Sequence, residues 1–120
     1  MASELRVNTL KDASGNNSVA TSVVASGSAK AWLDYNQVAN RIDGSYNVSS
    51  VSDDATGLFE YTLTSAMSDV HWSLVHTVNA FTAQIHTAKT TTTAGSRTRD
   101  GTLANTDATT NCIAIHGDLA

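Results

Sequence analysis

Between residues 45 and 67 the chain reads SYNVSSVSDDATGLFEYTLTSAM, and no other stretch limits the fold so narrowly. Phe59, Tyr61 and Leu63 alternate with Glu60, Thr62 and Thr64. Successive side chains of an extended strand point to opposite faces, so the pattern predicts a half-buried antiparallel strand. Tyr46, Val48 and, after a slip, Val51 are the apolar positions of a strand before it. Between the two, Asp53-Asp54-Ala55-Thr56-Gly57 predicts a tight turn with Gly57 at positive φ. The Ser49-Ser50 pair interrupts the alternation and predicts a β-bulge or a bend.

The same reading extends along the chain. A strand is predicted over 29–36, with Ala31, Leu33 and Tyr35 on one face and Lys30, Trp32 and Asp34 on the other. Both faces carry large side chains, so one is expected against the core and the other against a neighbouring chain. Residues 37–44 are expected to be a connection. Over 70–80, Trp72, Leu74, His76 and Val78 share a face; over 81–89, Phe81, Ala83, Ile85 and Thr87 do. Two strands with a short link at Asn79-Ala80 follow. Residues 90–110 contain Leu103 and otherwise only alanine among apolar groups, which predicts an exposed loop or edge. Ile113, Ile115 and Leu119 predict an inward-facing terminal strand.

At the start, residues 4–11 and 18–25 predict two short strands about a turn at 12–17. Their faces are incomplete, and such a pair is not stable alone. Ser26-Gly27-Ser28 marks the expected boundary between an N-terminal segment, 1–28, that needs further copies of the chain to complete its core, and a main domain, 29–120. No stretch has the 3.6-residue periodicity of a long helix, and the polar residues are mainly Thr, Ser, Asn and Gly. The fold class expected is all-β: an antiparallel β-sandwich or jelly-roll-like head.

Charge narrows the partners. The 120 residues carry a net charge of −4 with no run of Lys or Arg, so no nucleic-acid partner is expected. No apolar run approaches the roughly 20 residues of a membrane-spanning helix, and no membrane insertion is expected. The single cysteine, Cys112, cannot form an intramolecular disulfide and is expected to be a buried, inert thiol. A small domain that works outside a cell without disulfides draws extra stability from oligomerisation, which suggests assembly in a cytoplasm.

The segment NVSSVSDDATGLFEYTLTSAMSD resembles the core motif of C-terminal head domains of tailed-phage tail fibres, especially those of aquatic phages. SELRVNTLKDASGNN at 3–17 resembles the lead-in from fibre shaft to head, AKAWLDYN at 29–36 the first head strand, and IAIHGDLA at 113–120 the terminal strand. The weakest match is about residues 80–111. The resemblance implies an intertwined homotrimer in the virion, joined to an upstream fibre shaft and touching a host-surface receptor, glycan or protein. It carries no catalytic chemistry.

The candidate chemistry agrees with that. His71, His76, His86 and His116 form no His-x-His pair and stand at no ligand spacing, so no metal and no other cofactor is expected. A histidine at a subunit contact would lower stability below about pH 6. Gly-x-Ser-x-Gly is absent, and Asp53 and Asp54 are adjacent in a turn rather than paired across a groove, so no catalytic residue is assigned. Trp32, Tyr35 and Trp72 are expected in trimer or core packing. Arg97, Arg99, Asp100, Asn105 and Asp107 lie in the expected exposed loop, 94–107, and are the candidate receptor-binding residues. The two guanidiniums suit a carboxylate or phosphate on a bacterial surface glycan. The function expected is receptor adsorption at a fibre tip; the alternative is a structural fibre protein that binds only other virion proteins.

Overall fold

A computed structural model describes residues 2–79 and 82–120. The expectations placed on Ala80 and Phe81 lie outside the described residues. Two four-stranded antiparallel sheets face one another. The first has the order β4-β3-β10-β7, from β3 (Ala31–Asn36), β4 (Arg41–Tyr46), β7 (Ser73–Val78) and β10 (Asn111–His116). The second has the order β5-β6-β9-β8, from β5 (Val48–Ala55), β6 (Leu58–Leu63), β8 (Thr82–Thr87) and β9 (Thr93–Arg99). The all-β, sandwich-like architecture is thus present.

The core lies between the sheets. Ala31, Leu33 and Tyr35 of β3 and Ile113 and Ile115 of β10 meet Phe59, Tyr61 and Leu63 of β6 and Ala94 of β9. Each set has the two-residue period that puts alternate side chains on the inner face. The Tyr35 and Phe59 rings are 5.0 Å apart between centroids, and His76 meets Phe59 edge-on at 5.9 Å. Met67 and Trp72, in the connection from β6 to β7, close one end.

The predicted hairpin is β5–β6. Its turn is Thr56-Gly57, with Gly57 at φ +70°, and the register slips between Val48 and Ser50 as the serine pair suggested. Tyr46 does not belong to it. Residues 41–44, expected in a connection, and Ser45 and Tyr46, expected in the hairpin, together form β4 and pair with β3, where Tyr46 faces Trp32 across the ladder. Asn47 separates the two strands at φ +56°, a conformation that Asn tolerates better than most residues. Its amide donates to Lys30 O and its Oδ1 accepts from Ser65 N–H at 2.7 Å, which fixes the crossing between sheets.

The largest correction concerns residues 90–110. Instead of an exposed loop throughout, Thr93–Arg99 is an interior strand paired with both β6 and β8. Ala94, Ser96 and Thr98 are buried. They are small because the residues opposite them are large: Ala94 pairs with Tyr61 and Ser96 with Phe59. Cys112 is exposed, not buried, because it pairs with Asp34 on the outer face of its sheet. Leu119 bridges to Met67 but stays 43% exposed.

Residues 2–28 stand apart from this core. β1 (Thr9–Lys11) and β2 (Ser18–Ala20) form a two-stranded ladder. The second strand expected over 18–25 ends early and becomes α1 (Thr21–Gly27), a helix with no side-chain cap and no buried residue. Leu5 is 79% exposed, and Val23 and Val24 are also exposed. The radius of gyration, 17.3 Å, exceeds the roughly 14 Å of a compact chain of this length, and the long axis is 54 Å against 28 and 27 Å.

Candidate functional site at the distal end

The leader enters at β3, and β3 runs away from it. Three connections therefore meet at the opposite end of the sandwich: 37–40, the turn at 56–57, and 100–110. Backbone and side-chain bonds tie them together. Gln37 N–H donates to Ala108 O at 3.0 Å, and Gly57 N–H donates to Asp107 Oδ1 at 2.7 Å. Asn79 joins from the end of β7, its amide donating to Thr109 Oγ1 and its Oδ1 accepting from Thr110 N–H, both at 2.9 Å.

Beneath the loops lies a buried polar network. Gln37 Oε1 accepts from Thr98 Oγ1 at 2.9 Å, and from Ala108 N–H and Asn111 Nδ2 at 3.2 Å. Thr98 Oγ1 also lies 2.6 Å from Thr106 O. Asn111 Nδ2 reaches Tyr35 O at 3.1 Å, and its Oδ1 sits 3.0 Å from His76 Nε2. Because the Asn111 amide nitrogen faces carbonyl oxygens, its Oδ1 is the acceptor and His76 Nε2 carries the proton. His76 Nδ1 and Gln37 Nε2 are buried without a partner. Burial pulls the His76 pKa below its ordinary value, partly offset by Asn111. Burial also raises the Tyr35 pKa, assisted by Asp53, Asp107 and Asp54. The Tyr61 hydroxyl, deep in the core, is pushed up to about 12 by burial.

The structure brings all five candidate receptor-contact residues to this end, but not into one role. Asp100 holds its own turn: Oδ1 accepts from Thr102 N–H, Thr102 Oγ1 and Ala104 N–H. Those donors, the Thr102 hydroxyl first, lower its pKa. Asp107 clasps Gly57, and Asn105 bridges back to Arg99. Arg97 and Arg99 differ. They are two apart on β9, so both point from the outer face of the second sheet. Arg97 Nη2 donates to His86 Nδ1 at 2.8 Å, and both Nε atoms are buried without a partner. The ion pairs among the described residues are Arg6–Glu4 and Arg41–Asp43, so neither guanidinium is neutralised by a carboxylate. Two guanidiniums without a carboxylate partner, carried by residues about 7 Å apart along a strand, suit a carboxylate or phosphate group.

Of the packing residues, Tyr35 and Trp72 are buried within the single chain, whereas Trp32 is 45% exposed on the outer face of the first sheet. Gln37, Asn111 and Thr98, which hold the distal loops, escaped sequence reasoning. Their only signal is polarity at positions whose inward direction becomes clear after the strands are paired. Among the described residues no cluster of His, Cys, Asp or Glu suits a metal. No family model, curated protein or solved structure matches the chain.

Proposed function

We propose that the chain is the head of a tailed-phage tail fibre, an intertwined, jelly-roll-like homotrimer carried on the virion that adsorbs to a host-surface glycan without chemistry. The observation that carries the reading is the division of the chain into two unlike ends. An N-terminal segment that leaves Leu5, Val23 and Val24 exposed and buries none of its helix lies at one end. Loops pinned by a buried polar network, beside the uncompensated Arg97 and Arg99, lie at the other. The first end is suited to association with identical segments and an upstream shaft, the second to recognition. Three heads on one fibre engage a repetitive surface together, so weak single contacts suffice.

The test uses fluorescently labelled protein on a panel of aquatic bacteria. The expected result is decoration of at least one strain, lost when Arg97 and Arg99 are both replaced by alanine while the unfolding midpoint stays unchanged. Decoration that survives the double substitution removes the two arginines from the contact. The use of Asp100 and Asp107 for internal bonds favours the second reading, a fibre part that binds only virion proteins. Failure to decorate any susceptible host would decide for it.

A further inference from the structure

The outer face of the first sheet carries a row of apolar side chains that the single chain leaves uncovered. Across the four strands the register runs Tyr46–Trp32–Ala114–Val75. Tyr46 is 58%, Trp32 45% and Val75 60% exposed. One step along the strands, Asp34 pairs with Gly44, and Cys112 with Thr77. Gly44 is what admits the indole: a Cβ there would stand 3.1 Å from Trp32 Cζ3 and 3.3 Å from Cη2. The ring therefore leans over β4 toward Tyr46's strand. Asp34 is partly buried beside it and is outside both ion pairs of the described residues.

We infer that this face is a binding platform for a neutral saccharide. Four strands about 4.8 Å apart span about 14 Å, and one residue row is about 7 Å wide, a footprint near 100 Å². Asp34 beside the row has no ion-pair partner among the described residues, and burial under a second copy of the chain would leave that carboxylate uncompensated, which disfavours a subunit interface centred on this row. The footprint matches one or two pyranose rings. A pyranose presents an apolar C–H face to an aromatic ring and hydroxyls at its rim, which the Asp34 carboxylate accepts from. The same carboxylate disfavours uronate or phosphate. This platform is therefore separate from Arg97 and Arg99, on the opposite sheet, and stands or falls independently of them.

Isothermal titration of the full chain with maltohexaose, cellohexaose and chitohexaose, and with hexagalacturonate as the anionic arm, tests the inference. Intrinsic fluorescence runs in parallel, since Trp72 is 2% exposed and Trp32 is the tryptophan that solvent reaches. At least one neutral oligosaccharide is expected to bind with Kd about 1 mM and to shift the emission to the blue. Trp32→Ala should weaken it about tenfold, and Gly44→Val, which displaces the indole edge without touching the core, comparably. Asp34→Asn should weaken it less, and substitution of Arg97 and Arg99 not at all. Three results overturn the inference: no neutral oligosaccharide binds; binding survives both Trp32→Ala and Gly44→Val; or the blue shift follows protein concentration alone, which assigns the face to a second copy.

Discussion

Replacing Gln37 by leucine isolates the network that holds the distal loops. Gln37 is 1% exposed, and leucine nearly conserves its volume, so the cavity contribution is small. What disappears is one acceptor serving three donors. Thr98 Oγ1 retains Thr106 O at 2.6 Å, and Asn111 Nδ2 retains Tyr35 O at 3.1 Å. Ala108 N–H has no such alternative and is left buried and unpaired. Thr98, with one hydroxyl proton already served by Thr106 O, loses little; the Asn111 bond at about 1 kcal/mol and the orphaned Ala108 N–H at about 2 kcal/mol set the loss near 3 kcal/mol. Removing Gln37 Nε2, already buried without a partner, returns about 1 kcal/mol. The expected destabilisation is therefore about 2 kcal/mol. It is read from the urea midpoint at unchanged slope and fixed protein concentration. Amide exchange at Ala108 should accelerate in the same variant. A change below about 0.5 kcal/mol, the range of ordinary surface substitutions, would refute the view that Gln37 anchors the 100–110 loop.

Gly57→Ala should cost more. At φ +70° the new Cβ would lie 2.6 Å from Thr98 O and 2.7 Å from Thr106 N, both backbone atoms. Left-handed strain of about 1–2 kcal/mol plus the forced shift predicts a loss of about 3 kcal/mol or more in thermal or urea unfolding, and a loss under about 1 kcal/mol would contradict the turn geometry. The half-buried His76 supplies a pH signature. Its folded pKa lies below the ordinary 6.5, so the unfolded chain takes up the proton first. Stability should fall as pH drops through the unfolded value and level off below the folded one, with a slope of at most about 1.4 kcal/mol per pH unit. His76→Gln should flatten that component between pH 7 and 5. Identical pH profiles for the two proteins would show that His76 does not contribute.

The strands with strict alternation were legible in the sequence. Phe59, Tyr61 and Leu63, and likewise Ala31, Leu33 and Tyr35, face the core as their spacing dictates, because a period of two leaves no other assignment when one face is apolar. The β9 strand was not legible. Its inward residues are Ala, Ser and Thr, which read as loop until Tyr61 and Phe59 are placed opposite them. Strand β4 was hidden for a related reason: it is an edge strand with no buried residue, so its sequence carries little alternation. Cys112 was misplaced because its apolar character outweighed its position: with Ile113 and Ile115 inward, a period of two turns residue 112 to the outer face, where it pairs with Asp34. The distal cluster was found in sequence as a polar segment. The separation of Asp100 and Asp107, used internally, from the uncompensated Arg97 and Arg99 required coordinates.

The most direct measurement is the solution mass of the full chain by light scattering after gel filtration. The exposed apolar leader and the fibre-head reading predict three chain masses, held at micromolar concentration and across moderate dilution. A mass of one chain under the same conditions would contradict the account: the leader would then have no partner of its own kind, and the sandwich would act alone.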